Sequence, residues 1–315
     1  MISVERHGGR IYDGRMSTKT RGYTFAFLAI VIFSLQDAIS KHLGGAYPPI
    51  FITMIRFWAF AAFAVVMARR GAGSLRQAAA TKWPLLQWLR GVLLATQIVL
   101  VITSFKLVGL AHSQAIFSAG PIMVALLSMP LLGERVGWRR WSAITIGLIG
   151  VLVILKPEGE GFDLGVVVPL AAALTFALYV IATRYVSRDD SAMTSFLYTG
   201  IGGAVVMTLV GPFFWVTFSP TDSIWMLLLC FTGISSHYFL IRAYDVLDAA
   251  AVQPIMYLQL VFASVLGTTI FGETLGVNVV LGSVIVVAAG IFTIWRESVI
   301  ARRLAKKTMA ENVTA

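Results

Sequence analysis

Uninterrupted apolar runs recur along the whole chain, and their length of about 20 residues is what an α-helix needs to cross the hydrocarbon core of a bilayer. Of the 315 residues, 58% are hydrophobic and 13% are charged, whereas soluble domains are about half apolar and a quarter charged. The sequence therefore excludes a water-soluble globule and predicts a membrane protein.

We predict ten membrane-spanning helices, spans 1 to 10, from these runs. The connections between the runs are short and contain glycine, proline and charged residues, which end helices. Transmembrane β-strands would instead show short segments of alternating polarity. The predicted fold is therefore all-α. The predicted spans are 22–43, 48–67, 84–105, 110–131, 138–155, 164–183, 191–213, 223–241, 249–271 and 277–295.

The distribution of basic residues predicts how the spans are oriented, because membrane proteins concentrate lysine and arginine in cytoplasmic segments. With a cytoplasmic N-terminus, twenty of the 25 lysines and arginines lie in inner segments, and only Lys41, Lys106 and Lys156 lie in outer loops. Both termini are therefore predicted to be cytoplasmic, with basic tails at 1–21 and 298–315 that contact the lipid of a bacterial-type inner membrane. The net charge of +10 follows from this asymmetry, and we expect no nucleic-acid partner.

An internal repeat relates the two halves of the chain, which we predict to be units at 22–157 and 158–297. Because each unit contains five spans, an odd number, the second unit is expected to be inverted relative to the first. This arrangement predicts alternating access, with a substrate held where the two units meet. Residues that match at a constant offset of 139 are Gln114 with Gln253, Gly133 with Gly272, and Glu134 with Glu273.

The Gly-Glu pairs that end spans 4 and 9, each followed by a glycine-rich fifth helix, resemble the EamA family of the drug/metabolite transporter superfamily. The resemblance covers about residues 24–295. It implies two inverted five-helix halves, a central cavity lined by spans 1, 3, 4, 6, 8 and 9, and no ATP hydrolysis. One departure is that Pro121 of span 4 has Leu260 at its repeat position, and the proline of span 9 is Pro254. We therefore expect the two halves to bend differently.

Ionisable side chains inside the spans need a partner or a water-filled cavity, because burying one in a membrane helix costs about 3 kcal/mol. Asp37 lies one turn before Lys41 and at a depth similar to that of Arg56, so either residue could pair with it. Two interpretations stay open. The first is a buried ion pair that fixes span 1 against span 2, and the second is a carboxylate that takes up a proton or contacts a substrate. Arg90 lies near the cytoplasmic end of span 3, where a structural role is favoured.

Amide and aromatic side chains accumulate on the predicted cavity helices. Amides offer hydrogen-bond donors and acceptors without charge, and aromatic rings offer stacking faces. Hydrogen bonds between helices would explain any one of these residues, but their accumulation favours a neutral, polar, ring-bearing solute. The candidate substrate-binding residues are Gln36, Asp37, Gln97, Gln114, Tyr179, His237, Tyr238, Gln253, Tyr257 and Gln259, and the candidate structural or gating residues are Lys41, Arg56, Glu134 and Glu273.

The sequence contains no motif for ATP binding, for a nucleophilic active site, for a dinucleotide or for a metal cluster. We therefore predict no enzyme activity, no cofactor and no metal site. The predicted function is secondary transport of a small organic metabolite, with a riboflavin-like neutral heteroaromatic preferred and a proton as one candidate coupling ion. Amino-acid and S-adenosylmethionine carriers of similar families are the alternative. The rival class is an intramembrane enzyme that would use Asp37 and His237.

Overall fold

The computed structural model describes residues 18–71, 75–133, 138–155 and 164–292. Within these ranges the chain is helical and contains no β-strand. A short 3-10 turn, Gly211–Phe214, follows α9. The helices are α1 Thr18–Ala46, α2 Pro49–Gly71, α3 Leu75–Ala78, α4 Pro84–Val108, α5 Leu110–Phe117, α6 Ala119–Leu132, α7 Trp138–Leu155, α8 Leu164–Val186, α9 Ala192–Val210, α10 Pro220–Val246, α11 Ala249–Phe271 and α12 Val277–Phe292.

Eight helical segments of the described chain are long and apolar enough to cross a membrane, and α5 and α6 together form one of them. The protein is therefore an all-helical, multi-pass membrane protein. The other two predicted spans, 5 and 10, correspond to shorter apolar stretches, Thr145–Ile154 within α7 and Val277–Phe292. Both α7 and α12 adjoin residues outside the described ranges. Glu134 and the greater part of the predicted basic tails lie outside the described ranges themselves.

The predicted span 4 is divided into two helices at Ser118. Pro121 explains the break, because proline has no N–H to donate to the carbonyl of Phe117 and its ring clashes with that carbonyl. The repeat-related helix α11 runs without a break from Ala249 to Phe271. The two corresponding helices therefore differ in shape.

Helices of the two units pack against each other in an exchanged pattern. Helix α1 packs along α10, and α8 packs along α4. In the predicted repeat, α1 corresponds to α8 and α10 corresponds to α4, so these two contacts are related by the repeat. Helix α2 packs along its own counterpart, α9. These contacts are the ones expected of two packed units that a pseudo-two-fold axis relates.

The helix ends divide into two faces. At the first, which we call the Tyr47 face, the Tyr47 hydroxyl donates to Asp222 Oδ2 at 2.8 Å, joining the α1–α2 connection to the start of α10. At the second, the Lys82 face, Lys82 Nζ donates to Asp189 Oδ1 at 2.6 Å, joining the α3–α4 and α8–α9 connections. The 23 residues of α2 separate the two faces.

The α1–α2 and α8–α9 connections are equivalent in the repeat but lie at opposite faces. An inverted second unit accounts for this placement, because inversion turns the first connection of that unit toward the other side.

Glycines bring helix backbones together at contacts where larger residues would not fit. A Cβ added to Gly91 of α4 would lie 2.8 Å from Cα of Gly202 in α9, and a Cβ added to Gly282 of α12 would lie 2.5 Å from the carbonyl oxygen of Gly150 in α7. Small residues at helix crossings are typical of membrane bundles, which depend on close packing. The glycine-rich fifth helices of the two units therefore pack directly on each other.

Candidate substrate-binding cavity

A polar cavity lies between the two units, with walls formed by α1, α2, α4 and α5 of the first unit and by α8, α10 and α11 of the second. The space among these helices that protein atoms do not fill, open solvent included, is about 460 Å³. Six of the ten predicted binding residues line it: Gln36, Asp37, Gln97, Gln114, His237 and Gln259.

Asp37 lies at the centre of a buried cluster of amides. Nε2 of Gln114 donates to Asp37 Oδ2 at 2.7 Å, and Nε2 of Gln259 donates to the same oxygen at 2.6 Å. Only 4% of the Asp37 surface is exposed. The two donors belong to α5 and α11, which are equivalent helices of the repeat, so one carboxylate on α1 connects both units. Donated hydrogen bonds of this kind stabilise an ionised carboxylate.

Arg56 lies in the wall of the same cavity without a partner in the described protein. It is 6% exposed, and it makes no hydrogen bond or ion pair with any described residue, Asp37 included. The Asp37–Arg56 ion pair that their similar depth permits is therefore not formed. The guanidinium packs over Gly233 of α10, where an added Cβ would lie 3.2 Å from Arg56 Nη2.

Lys41 pairs with Glu273, not with Asp37, which corrects the expectation from their spacing along α1. The Glu273 carboxylate also accepts the backbone N–H groups of Leu110 at 2.7 Å and Ala111 at 2.8 Å. These groups form the N-terminus of α5, where the helix dipole favours a negative charge. The contact, which we call the Glu273 bridge, joins α1, α5 and α11 at the Tyr47 face.

Different contacts join the helix ends at the Lys82 face. Arg184, the repeat counterpart of Lys41, donates to Asp248 Oδ1 at 2.6 Å. Arg188 of the second unit donates to the carbonyl oxygen of Leu132 in the first unit at 2.6 Å. The Lys82 hydrogen bond lowers the pKa of Asp189 below its usual range, so this exposed ion pair persists at neutral pH. The units are thus in contact at both faces.

His237 lines the cavity and packs among aromatic rings. Its ring centroid lies 5.0 Å from that of Phe33 and 6.1 Å from that of Tyr179. Tyr179 is fully buried behind it and packs against Arg90, whose Cζ lies 5.5 Å from the tyrosine ring centroid. Arg90 also donates to Thr183 Oγ1 at 3.0 Å. These contacts join α4 to α8 and agree with a structural role for Arg90.

Tyr179 and three further predicted binding residues do not line the cavity. Tyr238 packs edge-on against the ring of Phe196, 5.7 Å away between centroids. Gln253 donates to the carbonyl oxygen of Ala249 at 2.6 Å within its own helix. Tyr257 lines a smaller adjoining space next to Gln259.

The sequence interpretation missed several residues of the cavity wall. On α1, Phe33 and Ser40 line it together with Gln36 and Asp37. These positions follow the spacing of one helix face, and this pattern is the signal that could have identified them. Phe117 and other apolar residues of the wall give no such signal, because apolar residues occur at nearly every position of these helices. The apolar wall residues not predicted are Phe33, Ile98, Val101, Ile102, Phe117, Phe176 and Met256.

Comparison with known proteins finds several bacterial relatives that are named as transporters of metabolites. It is 27% identical to an S-adenosylmethionine uptake transporter of Rickettsia prowazekii (strain Madrid E), covering 90% of this chain and 95% of that protein. It is 26% identical to a riboflavin transporter of Rhizobium johnstonii, covering 88% and 91%. It is also 27% identical to the pseudopaline exporter CntI of Pseudomonas aeruginosa, covering 85% and 94%.

A solved crystal structure shares the fold, with a TM-score of 0.68 at 20% sequence identity over 90% of this chain and 99% of the other. The model of the EamA-like transporter family matches twice, over residues 20–156 and 163–295. The two matches are consecutive and together span most of the chain, as expected for two copies of one unit. The chain therefore belongs to the EamA-like transporter family.

Proposed function

We propose that this protein is a secondary transporter that moves a small organic metabolite across the inner membrane by alternating access. The observation that supports this function best is the position of Asp37, a buried carboxylate in a polar cavity, bound by amides from the equivalent helices α5 and α11. Transporters built from inverted repeats hold their substrates at such a repeat interface.

Rocking of the two units would open the cavity to one side at a time. Opening toward the Tyr47 face requires the Glu273 bridge to break, and opening toward the Lys82 face requires contacts such as Lys82–Asp189 to break. The distribution of basic residues assigns the Lys82 face, and both termini, to the cytoplasm. The sequence has no ATP-binding motif, so an ion or solute gradient drives the movement, with a proton as one candidate.

Two solutes are candidates for the cargo. S-adenosylmethionine is supported by relatives that match nearly the full length of both chains and by the two charged side chains of the cavity, Asp37 and Arg56. Riboflavin, which the amide and aromatic content of the sequence favours, is supported by other relatives and by the amide-rich wall, which suits a neutral polar ring.

An enzyme of the membrane interior is the weaker alternative. Asp37 and His237 line one cavity, but among the residues that the structure describes no hydrogen bond joins them to each other. A nucleophile oriented by a base is the usual requirement for acyl or phosphoryl transfer, and the cavity offers no such pair. We therefore propose that the protein changes the position of its solute and not its chemistry.

Counterflow in proteoliposomes tests this function. Vesicles loaded with unlabelled S-adenosylmethionine or riboflavin are diluted into the same labelled compound, and protein-free vesicles serve as the control. We expect labelled solute to accumulate transiently in the protein-containing vesicles and to be recovered unaltered by mass spectrometry. Accumulation of a chemically altered product would contradict the carrier and support the enzyme.

A further inference from the structure

We propose that the cavity binds a zwitterionic α-amino acid group, with Arg56 binding the carboxylate of the solute and Asp37 binding its ammonium group. This inference rests on the proposed transport function and adds the class of substrate. It would apply to free amino acids and to larger metabolites that carry an α-amino acid end.

Arg56 forms no ion pair with any described residue. A guanidinium taken out of water is stable only when it is paired or hydrogen-bonded. Arg56 lines two spaces. The smaller is lined by Phe57, Phe60, Cys230 and other groups that include no carboxylate, and the main cavity contains Asp37, which does not pair with Arg56 directly. Since no described residue pairs with Arg56, the anion that it needs is expected to come from the solute. Arginine also matches a carboxylate geometrically, because its planar fork can donate two parallel hydrogen bonds.

One carboxylate oxygen of Asp37 is available to bind a ligand. Both amide donors bind Oδ2, and Oδ1 accepts no hydrogen bond from the described residues. Donors to Oδ2 favour the charged carboxylate, and Lys41, the nearest cation along α1, is engaged by Glu273. Asp37 and Arg56 therefore attract each other across one cavity, and neither forms a direct ion pair with a described residue.

The side chains of Asp37 and Arg56 are placed so that one ligand can contact both. Asp37 and Arg56 both line the cavity but lie farther apart than the 4.0 Å of an ion pair. A ligand whose ammonium and carboxylate groups are joined through one carbon can contact both. The rings of Phe33, Phe117 and Phe176 complete the wall and provide an apolar surface for the rest of the solute. A neutral flavin would leave both charges unpaired, which is costly in a buried site.

The first experiment uses the unmodified protein and probes that differ in one charged group. Binding to the purified protein in nanodiscs is measured by calorimetry for S-adenosylmethionine and its decarboxylated form, and for L-phenylalanine, its methyl ester and its N-acetyl derivative. We expect loss of either charged group to weaken binding by about 10- to 100-fold, the effect of removing a charge-assisted hydrogen bond.

The second experiment assigns each charged group to its residue. Arg56→Met is expected to reduce the affinity for the zwitterion about tenfold or more and to leave that for the methyl ester unchanged, because the ester has no carboxylate to lose. Asp37→Asn should show the complementary pattern, with weaker binding of the zwitterion and unchanged binding of the N-acetyl derivative. Arg76→Met, which removes an exposed arginine of α3, is the matched control and should bind as the unmodified protein does.

A third variant avoids removing a buried charge, which can itself disturb folding. In Gly233→Ala, the new Cβ lies 3.2 Å from Arg56 Nη2 and 3.3 Å from Gln36 Oε1, so it should displace the flexible end of Arg56 while the helices keep their packing. We expect the preference for the zwitterion over the methyl ester to fall several-fold. Gly45→Ala, where an added Cβ meets nothing within 4 Å, should leave the preference unchanged.

The outcomes separate this inference from the transport function. If the zwitterions and their singly modified forms bind equally well, or if none of these probes binds, the amino acid site is wrong. Counterflow of riboflavin or another solute would then still support a carrier. Equal weakening of zwitterion and ester binding by Arg56→Met and Gly233→Ala would also overturn the assignment, because it would make Arg56 a structural residue only.

Discussion

The polar residues inside the helices show how far single positions can be interpreted from sequence. That Asp37 would need a partner or a water-filled cavity follows from the cost of leaving a carboxylate in lipid. Its partners do not follow, because the depth of a residue says nothing about the rotation of its helix. Asp37 therefore binds the amides of Gln114 and Gln259, and neither Arg56 nor Lys41, the two cations that its position had suggested.

Gln253 and Gln259 of α11 provide a prediction at the scale of single residues. Both are candidate binding residues in the sequence, but only Gln259 lines the cavity and binds Asp37. Gln259→Leu removes one of two hydrogen bonds to a buried charge, which is worth about 1.5–3 kcal/mol, so we expect the affinity for the transported solute to fall about tenfold or more. Gln253→Leu should change it less than about twofold, since Gln253 donates to the carbonyl oxygen of Ala249 within its own helix.

Equilibrium binding to purified variants measures this difference, with thermal unfolding as the control for folding. The Gln259 prediction fails if its loss affects only the unfolding temperature. A large loss of affinity in Gln253→Leu would restore that residue to the binding site that the repeat had suggested for it.

At the scale of whole helices, composition predicts where apolar segments occur but not how they end or bend. The Gly-Glu pair after span 9 was recognisable from its repeat. The structure adds that Gly272 adopts the left-handed conformation, with φ of 62°, and ends α11. Glu273 follows directly and reaches the N-terminus of α5. The pair therefore ends one helix and holds the beginning of another, and a contact between helices so distant in sequence is not visible in local patterns.

Glu273→Gln tests whether the Glu273 bridge closes the Tyr47 face. Glutamine retains the size of the side chain but loses the charge that attracts Lys41 and the helix dipole. We expect the equilibrium to shift toward opening at this face by about tenfold, the equivalent of one charge-assisted hydrogen bond. The measurement is the rate at which an impermeant thiol reagent, added from the side of the Tyr47 face, modifies Ser40→Cys in a protein whose native Cys230 is replaced by serine.

Gly45→Ala provides the control for this experiment, because Gly45 lies near the same end of α1 and an added Cβ there meets nothing within 4 Å. Its labelling rate should equal that of the protein without the extra substitution. If Glu273→Gln labels no faster than this control, the bridge supports the fold but does not close the cavity.

For the whole molecule, the repeat in the sequence predicts two inverted units, because an odd number of spans per unit turns the second unit over in the membrane. What could not be predicted is which helices of the two units meet. The pairing of α1 with α10, of α8 with α4 and of α4 with α9 depends on surface shape, which for the last pair includes the close contact of Gly91 with Gly202. Substrate chemistry likewise depends on how these helices combine their polar residues, and a linear pattern does not contain that information.

The inversion itself makes a prediction about sidedness in the cell. Single cysteines are placed in a protein lacking Cys230 at three exposed positions: Ala46 at the end of α1, Ala80 before α4, and Asp189 after α8. The Asp189–Lys82 ion pair is exposed and screened, so its loss should disturb the fold little. An impermeant thiol reagent added to intact cells should modify Ala46→Cys alone, and in inverted membrane vesicles it should modify Ala80→Cys and Asp189→Cys instead.

Two different failures of this experiment carry different meanings. If all three positions exchange sides, the orientation inferred from the basic residues is wrong, but the units are still inverted. If Asp189→Cys is instead modified from the same side as Ala46→Cys, the first connections of both units face the same way. In that case no pseudo-two-fold axis lies in the membrane plane. Equivalent helices of the two units could then not exchange roles, and that exchange is what would expose Asp37 to each side of the membrane in turn.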